Sequence, residues 1–315
     1  MIEYRSFRND DPPRLADVWR AADLGPCGFQ LMTAAWLEAC VFSKPYFDRE
    51  GLVVAVDGER MLGFAHAGFG PNPEHTAIST ASGTTMLVVV AAHDHQEEIG
   101  AALLARTEDY LARRGAVTIM GGGSPGLGGF YLGLYGGAAL PGILDSSPAM
   151  QGVFRRAGYL EADRIAVMRR PLAGFRPPVG RAQLAIRRST QMRVIDEPAR
   201  RDWWEAATTT GISLRRYELR DEAAAPLGSA TFWDIEPLAT AWGFPAAGLF
   251  GVTVDGTRRR QGLASHLIAE ALHDLAQEGV ALCETHVSEA TEAAIKLFFK
   301  LGFEATAHGT LFRKP

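Results

Sequence analysis

Three consecutive arginines, followed by one glutamine, precede a glycine and an apolar run in the second half of the chain. The stretch GTRRRQGLASHLI covers residues 256–268 and follows the strand-like run LFGVTV. A helix N-terminus exposes unpaired N–H groups and carries partial positive charge, so it binds phosphate readily. Gly262 admits an anion close to the backbone, and Arg258, Arg259 and Arg260 add charged donors. The spacing indicates a pyrophosphate site, with a solvated turn as the alternative.

This loop and a later helix resemble two motifs of the GNAT acyltransferase superfamily. The family's pyrophosphate motif reads Q/R-x-x-G-x-G/A after its fourth strand, where this chain has Arg259, Gly262 and Ala264. The family's closing helix often reads N-x-x-A-x-x-L-Y-x-K-L-G-F, and residues 291–303 read TEAAIKLFFKLGF. Both motifs occur in the family's order, so the resemblance covers residues 248–313 well.

The resemblance implies that acetyl-CoA is the co-substrate and that an amine receives the acetyl group. Backbone groups of a strand would pair with the pantetheine arm, and free N–H groups would hold the pyrophosphate. A strand N–H would stabilise the thioester oxygen as the amine attacks. The implied cofactor-binding residues are Val252, Thr253, Val254, Arg259, Arg260, Gln261, Gly262, Leu263, Ala264, Ser265, Thr291 and Phe298.

The catalytic groups depart from the family pattern. Phe298 stands where the family commonly has a tyrosine that acts as the general acid. Gly248 stands where mycothiol-synthase-like enzymes have a glutamate. A thiol with a pKa near ~8.5 can leave as the thiolate, so the missing acid is tolerable. Glu284 and His286 lie two residues apart on one strand, hence on one face, and are the predicted catalytic residues. The alternative bases are Asp234 and Glu236.

A long internal repeat indicates two similar domains. The helical segments IGAALLARTEDYLARRG and LASHLIAEALHDLAQEG are 164 positions apart, whereas the later motifs VFRRAGY and LFFKLGF are 144 apart. The first copy therefore carries a glycine-rich insertion, residues 121–142. The sequence predicts an α/β protein of two tandem GNAT-like domains, each with a mixed, mostly antiparallel sheet flanked by helices. The predicted domains are residues 1–171 and 181–315, joined by a linker at 172–180.

The first copy lacks the features of the anion site. His95, Glu98 and Gly100 occupy the places of Arg259, Gly262 and Ala264, and a second carboxylate precedes Glu98 in the sequence. Two carboxylates at contact range repel a pyrophosphate more strongly than a helix dipole attracts it. We therefore expect only the second domain to bind acetyl-CoA and to be active.

The glycine-rich insertion carries three aromatic residues, Phe130, Tyr131 and Tyr135. Ordering so many glycines costs conformational entropy that packing must offset. The aromatic rings either cap a substrate cleft, form the domain interface, or lie beneath a surface loop. For Trp203, Trp204 and Trp233 we expect a place in the core or the domain interface.

Composition limits the remaining possibilities. The 315 residues carry a net charge of −4, which excludes a global basic field for nucleic acid or anionic membranes. Three widely spaced cysteines fit a reducing compartment, and no signal peptide or membrane span is recognisable, so we expect a cytoplasmic protein without a metal site. The expected acceptor is a small-molecule amine or a peptide, and the expected state is a monomer or homodimer. The alternative function is a catalytically silent acyl-CoA-binding or sensor protein.

Overall fold

The computed structural model describes residues 1–123 and 129–315. We call residues 1–171 the first half and residues 181–315 the second half. The first half contains β1 (Glu3–Ser6), α1 (Pro12–Ala21), α2 (Ala34–Leu37) with a π-helical turn (Glu38–Phe42), a 3-10 turn (Arg49–Gly51), β2 (Leu52–Asp57), β3 (Arg60–Pro71), β4 (Ile78–Val90), α3 (Gln96–Arg113), β5 (Thr118–Gly121), β6 (Ile143–Leu144), α4 (Pro148–Arg156) and β7 (Leu160–Pro171).

The second half repeats this order after a connection, residues 172–180, in which the structure has neither helix nor strand. It contains α5 (Arg181–Ser189), β8 (Thr190–Asp196), α6 (Trp203–Thr208), β9 (Leu214–Asp221), β10 (Pro226–Asp234), α7 (Glu236–Trp242), β11 (Ala246–Val254), a 3-10 turn (Gly256–Arg258), α8 (Leu263–Gln277), β12 (Leu282–Ser288), α9 (Glu292–Lys300) and β13 (Glu304–Arg313).

Both halves share one continuous sheet. In the described part of the chain, its strand order is β1-β2-β3-β4-β5-β13-β7-β12-β11-β10-β9-β8, and β6 adds to β13. Most neighbours are antiparallel, and the parallel pairs are β4 with β5 and β11 with β12. The predicted mixed, mostly antiparallel sheet with flanking helices is therefore confirmed, but the two copies are fused edge to edge.

The fusion comes from an exchange of terminal strands. β13 ends the second half, yet it pairs with β5 and β6 of the first half. β7 ends the first half, yet its residues 165–171 pair with β12 of the second half. The two exchanged strands also pair with each other, so each half's sheet is completed by the other half.

Helices cover both faces of the sheet. In the first half, α3 and α4 pack on one face through residues such as Leu103 and Phe154, whereas α1 packs on the other through Trp19. In the second half, α8 and α9 pack on the face that carries Cys283. Trp204 of the second half belongs to the same core as α1, so the apolar cores also join the halves.

The repeat seen in the sequence has a structural counterpart. α3 and α8 are the helices that are 164 residues apart, and each is followed by a glycine with positive φ, Gly115 at 94° and Gly279 at 93°. The glycines adopt the left-handed conformation that commonly ends a helix. No helix in residues 1–123 and 129–315 has the length and apolarity needed to cross a bilayer.

Candidate active site

The parallel strands β11 and β12 separate soon after they meet. They pair at three positions, the last of which joins Gly248 to Glu284. Beyond this point β10 and β11 shift register between Thr231 and Phe232, a bulge that turns β11 away from β12. The rest of β11, residues 251–254, is exposed or half-buried. The outcome is a split in the sheet with one accessible strand on its wall.

The arginine-glycine loop follows β11 directly and is open to solvent. Gly262, directly before α8, has a φ of 84°, and Arg260 also has a positive φ, 61°. A Cβ placed on Gly262 would meet only the Ile186 side chain, at 3.5 Å. The N–H groups of residues 259–265 donate no backbone hydrogen bond within the described part of the chain. Successive free N–H groups at a helix N-terminus form an anion-binding concavity.

The predicted cofactor-binding residues fall into a continuous run and two outliers. The run leads from β11 through the loop into the first turn of α8. Thr291 is exposed at the start of α9, whereas Phe298 is buried and its ring lies edge-on to Phe303 at a centroid distance of 5.1 Å. The members of the run are Val252, Thr253, Val254, Arg259, Arg260, Gln261, Gly262, Leu263, Ala264 and Ser265.

The corresponding place in the first half is closed. The last residues of β4, 87–90, are all buried, in contrast to residues 251–254 of β11. At the start of α3, His95 contacts Glu98, and Glu97 forms an ion pair with Arg156 at 2.7 Å. Carboxylates and buried backbone therefore occupy the positions that free N–H groups hold in the second half.

Glu284 lies inside the junction between the halves. Its carboxylate is fully buried and accepts hydrogen bonds from the Arg169 side chain at 2.7 Å and from the Ala138 N–H at 2.8 Å. Burial alone would raise the pKa of Glu284, but His286, Arg169 and the Ala138 N–H together lower it. The carboxylate is thus ionised and fully engaged, and it holds the glycine-rich insertion against the second half.

His286 is next to this carboxylate on the same face of β12. Its Nε2 lies 2.7 Å from the Gly136 carbonyl oxygen and 3.3 Å from Glu284 Oε1. Both neighbours are acceptors, so Nε2 carries the proton and Nδ1 is the acceptor nitrogen. Nδ1 is buried and has no hydrogen-bond partner in the described part of the chain. The predicted pair is therefore brought together, and one buried ring nitrogen of His286 is left without a partner among the described residues.

Sequence reasoning did not find the other members of this cluster. The Arg169 guanidinium lies over the Trp242 ring at 4.7 Å and within 3.6 Å of Cys27 Sγ. Burial raises the pKa of the Cys27 thiol, although Arg169 opposes the shift. Arg169 ends a strand of the first half, and nothing in its local sequence indicates a partner in the second half. The strand exchange alone places it beside Glu284.

The insertion and its aromatic residues form part of the interface. Phe130, Tyr131 and Tyr135 are buried, and Tyr131 stacks on Trp19 at 5.8 Å. The Trp233 indole N–H donates to the Ala138 carbonyl at 3.3 Å. Trp204 and Trp233 are buried as expected, but the expectation is wrong for Trp203, which is 41% exposed at the start of α6. Of the predicted insertion 121–142, residues 124–128 lie outside the described residues.

The alternative bases lie away from the split. Asp234 ends β10 and Glu236 begins α7, at the end of β11 opposite the arginine-glycine loop. A Cβ on Gly248 would lie 2.5 Å from the Trp233 ring nitrogen, so a glutamate does not fit there without rearrangement.

Comparison with known proteins agrees with this geometry. A family model described as the acetyltransferase (GNAT) family matches residues 184–303. The match lies within the second half, which therefore resembles a GNAT acetyltransferase domain, and the whole chain shares the fold of a tandem GNAT protein of known structure. No curated protein matches the chain with significance.

Three solved structures share the fold across 99% of this chain. A GCN5-related glucosamine N-acetyltransferase region of a fungal multi-domain GH3 β-N-acetylglucosaminidase has 16% identity and a TM-score of 0.73, and the chain spans 38% of that protein's length. A tandem GNAT protein from the clavulanic acid biosynthesis pathway has 15% identity and a TM-score of 0.66, and the match covers 98% of that protein's chain. A GCN5-related N-acetyltransferase from Sphaerobacter thermophilus has 16% identity and a TM-score of 0.67, and the match covers 95% of that protein's chain.

Proposed function

We propose that the protein is an N-acetyltransferase that transfers the acetyl group of acetyl-CoA to an amine, and that only its second half is active. The observation that carries this proposal is the open split between β11 and β12, which leads into a loop of unpaired N–H groups. The equivalent strand of the first half is buried.

The residues present fit the co-substrate. A pyrophosphate requires donors without Cβ obstruction, and Gly262 supplies a left-handed position with open space around it. Arg258, Arg259 and Arg260 are exposed and able to neutralise phosphate charge. The accessible residues 252–254 of β11 offer backbone groups to an extended pantetheine arm in the manner of an added strand.

For catalysis we propose that His286 is the base and Glu284 its positioning residue. Glu284 and the Gly136 carbonyl hold the proton on Nε2, which leaves the Nδ1 lone pair to accept a proton from the attacking amine. The amine nitrogen forms the new bond to the acetyl carbon, the carbon–sulfur bond breaks, and coenzyme A leaves as the thiolate. No side chain needs to protonate the sulfur as it departs, because a thiolate is a weakly basic leaving group.

A matched pair of glycine variants tests the location of the co-substrate. Gly262→Glu places a carboxylate at the proposed pyrophosphate site and is expected to weaken acetyl-CoA binding about 100-fold, measured by isothermal titration calorimetry. Gly279→Glu is the control, since Gly279 has a similar φ at the other end of α8 and open space around it. Equal affinities for the two variants would contradict the proposal.

The second candidate is a catalytically silent acyl-CoA-binding protein, because Nδ1 of His286, the proposed base, is buried away from solvent. Release of coenzyme A in the presence of a panel of amines separates the two functions. Turnover that requires His286 supports the enzyme, and tight binding without turnover of any amine supports the sensor. The proposed acceptor is a small-molecule amine or a peptide in the cytoplasm, and the glucosamine N-acetyltransferase region among the structural neighbours makes amino sugars the first acceptors to test.

A further inference from the structure

A large cavity lies between the halves, at the end of β11 opposite the arginine-glycine loop. Its volume is about 910 Å³, within the range of sites for drug-sized ligands. The π-helical turn after α2 contributes Cys40 from the first half, and α7 contributes Ala239 from the second half. We call it the junction cavity.

The walls of the junction cavity are largely apolar and aromatic. Trp36 comes from α2, Trp233 from the end of β10, and Phe244 from the turn before β11. Leu132 and Ile212 add aliphatic surface. Phe244 is 38% exposed, although removing a large hydrophobic side chain from water is favourable. Aromatic faces of this kind attract both apolar groups and organic cations.

Carboxylates line the same cavity. Asp234, Glu236 and Glu278 all line it, and Asp234 and Glu236 are exposed to solvent. Partial desolvation together with the nearby Glu236 and Glu278 raises the pKa of Asp234, although Arg215 opposes the shift. Glu278 pairs with Arg215, which also pairs with Asp196. Asp234 and Glu236 form no ion pair within the described residues. Asp234 and Glu236 thus have no direct ion-pair partner among the described residues, and Arg215, whose charge acts on Asp234, is already paired with Asp196 and Glu278.

The one lysine in the cavity wall does not supply such a partner. The Lys44 side chain is 4% exposed, and its ammonium donates to the carbonyl oxygens of Thr208 and Thr210 at 3.1 and 3.0 Å. Burial lowers the pKa of Lys44. Its hydrogen bonds are directed into the first turn after α6, and it forms no ion pair with Asp234 or Glu236.

We propose that the junction cavity binds a small organic cation: a protonated primary amine whose ammonium pairs with Asp234 and Glu236 while its apolar body contacts the aromatic walls. The cavity is separate from the split in the sheet. Trp233, hydrogen-bonded to Ala138, and the paired starts of β11 and β12 lie between them. The inference is therefore independent of acetyl transfer.

Binding of 4-phenylbutylamine to the whole protein, in the absence of acetyl-CoA, tests the proposal. The neutral probe 4-phenyl-1-butanol has the same ring and chain length without the charge. We expect isothermal titration calorimetry to show the amine binding about tenfold more tightly than the alcohol, with the advantage reduced by added salt. Equal affinities of the two probes, or no binding of the amine, would overturn the proposal.

Variants locate the bound amine. The double variant Asp234→Asn/Glu236→Gln is expected to remove the advantage of the amine over the alcohol. The control Glu59→Gln/Glu222→Gln removes the same charge from two exposed turns and should keep that advantage. Ala239→Phe fills the cavity without a charge change and should weaken both probes. Unchanged amine affinity in the first variant and in Ala239→Phe would place the cation elsewhere. Gly262→Glu should not affect the amine, which separates this result from the test of the acetyl-CoA site.

Discussion

At the scale of single residues, the second half is organised around a buried carboxylate that serves two purposes. Glu284 forms an ion pair with Arg169 of the exchanged strand and accepts the N–H of Ala138 in the glycine-rich insertion. A Cβ on Gly137 would lie 1.9 Å from Glu284 Oε1, and its φ is 87°, so this close approach requires glycine. The carboxylate also orients His286. The same residue therefore joins the halves and sets the tautomer of the proposed base.

Replacing Glu284 should make stability less dependent on pH. Because the folded-state pKa of Glu284 is lowered, its stabilising effect is present above its unfolded-state pKa, near ~4.3, and is lost as the pH falls through the folded value. We expect Glu284→Gln to reduce the free energy of unfolding by about 3 kcal/mol at pH 7, with a smaller loss at pH 4. Urea unfolding at both pH values measures this. The control is Glu59→Gln at an exposed turn, and a loss that is the same at both pH values would contradict the expectation.

His286 should affect turnover without affecting co-substrate binding. Removing a general base costs about 100-fold or more in rate, so His286→Ala is expected to lower kcat by that factor while Kd for acetyl-CoA stays constant. His308→Ala removes a half-exposed histidine of β13 and is the control. If Glu284 acts by positioning, Glu284→Gln should lower kcat and also change its pH profile. Retention of full kcat in His286→Ala would exclude it as the base.

At the scale of elements, the two copies of one unit differ in the strand that precedes α3 in the first half and α8 in the second half. Residues 251–254 of β11 are accessible, whereas residues 87–90 of β4 are buried. The sequence predicts a difference in the loops, because His95 takes the place of Arg259 and Glu98 that of Gly262 in the first copy. It did not show that residues 87–90 of β4 are buried, since the residues that cover them come from segments distant in the chain.

The arginine loop should contribute a salt-dependent part of acetyl-CoA affinity. Phosphate contacts by exposed cations weaken as salt screens them. We expect Arg258→Gln/Arg259→Gln/Arg260→Gln to bind acetyl-CoA about tenfold more weakly at low salt and to lose most of its dependence on salt. Titration calorimetry at several salt concentrations measures both effects. The charge-matched control, with glutamine at the exposed residues Arg60, Arg193 and Arg313, should bind with the affinity and salt dependence of the original protein.

At the scale of the whole molecule, the repeat, the order of elements and the position of the arginine-glycine loop before a helix could be predicted, because each depends on local periodicity and composition. The fusion of the sheets could not. A terminal strand such as β13 has the same alternating pattern whether it pairs within its own half or with the other, and its partner is decided by packing. Phe312 illustrates this, since its ring stacks on Phe154 of the first half at 5.3 Å. Arg169 and Ala138 join the site only through that exchange.

The exchange predicts that the halves fold together and not apart. A protease site introduced after Pro178, in the exposed connection, permits cleavage of the folded protein. The two fragments should remain associated on size exclusion and unfold in one transition, because β7 and β13 each pair across the cut. After the fragments are separated in denaturant, each fragment alone should aggregate, since β12 and β13 lose their partners and expose strand edges. Mixing the two fragments before the denaturant is removed should restore acetyl-CoA binding. The uncleaved protein with the same insertion is the control. A fragment of residues 179–315 that folds alone as a monomer and binds acetyl-CoA would show that β13 can replace β7 beside β12, and would contradict the requirement for exchange.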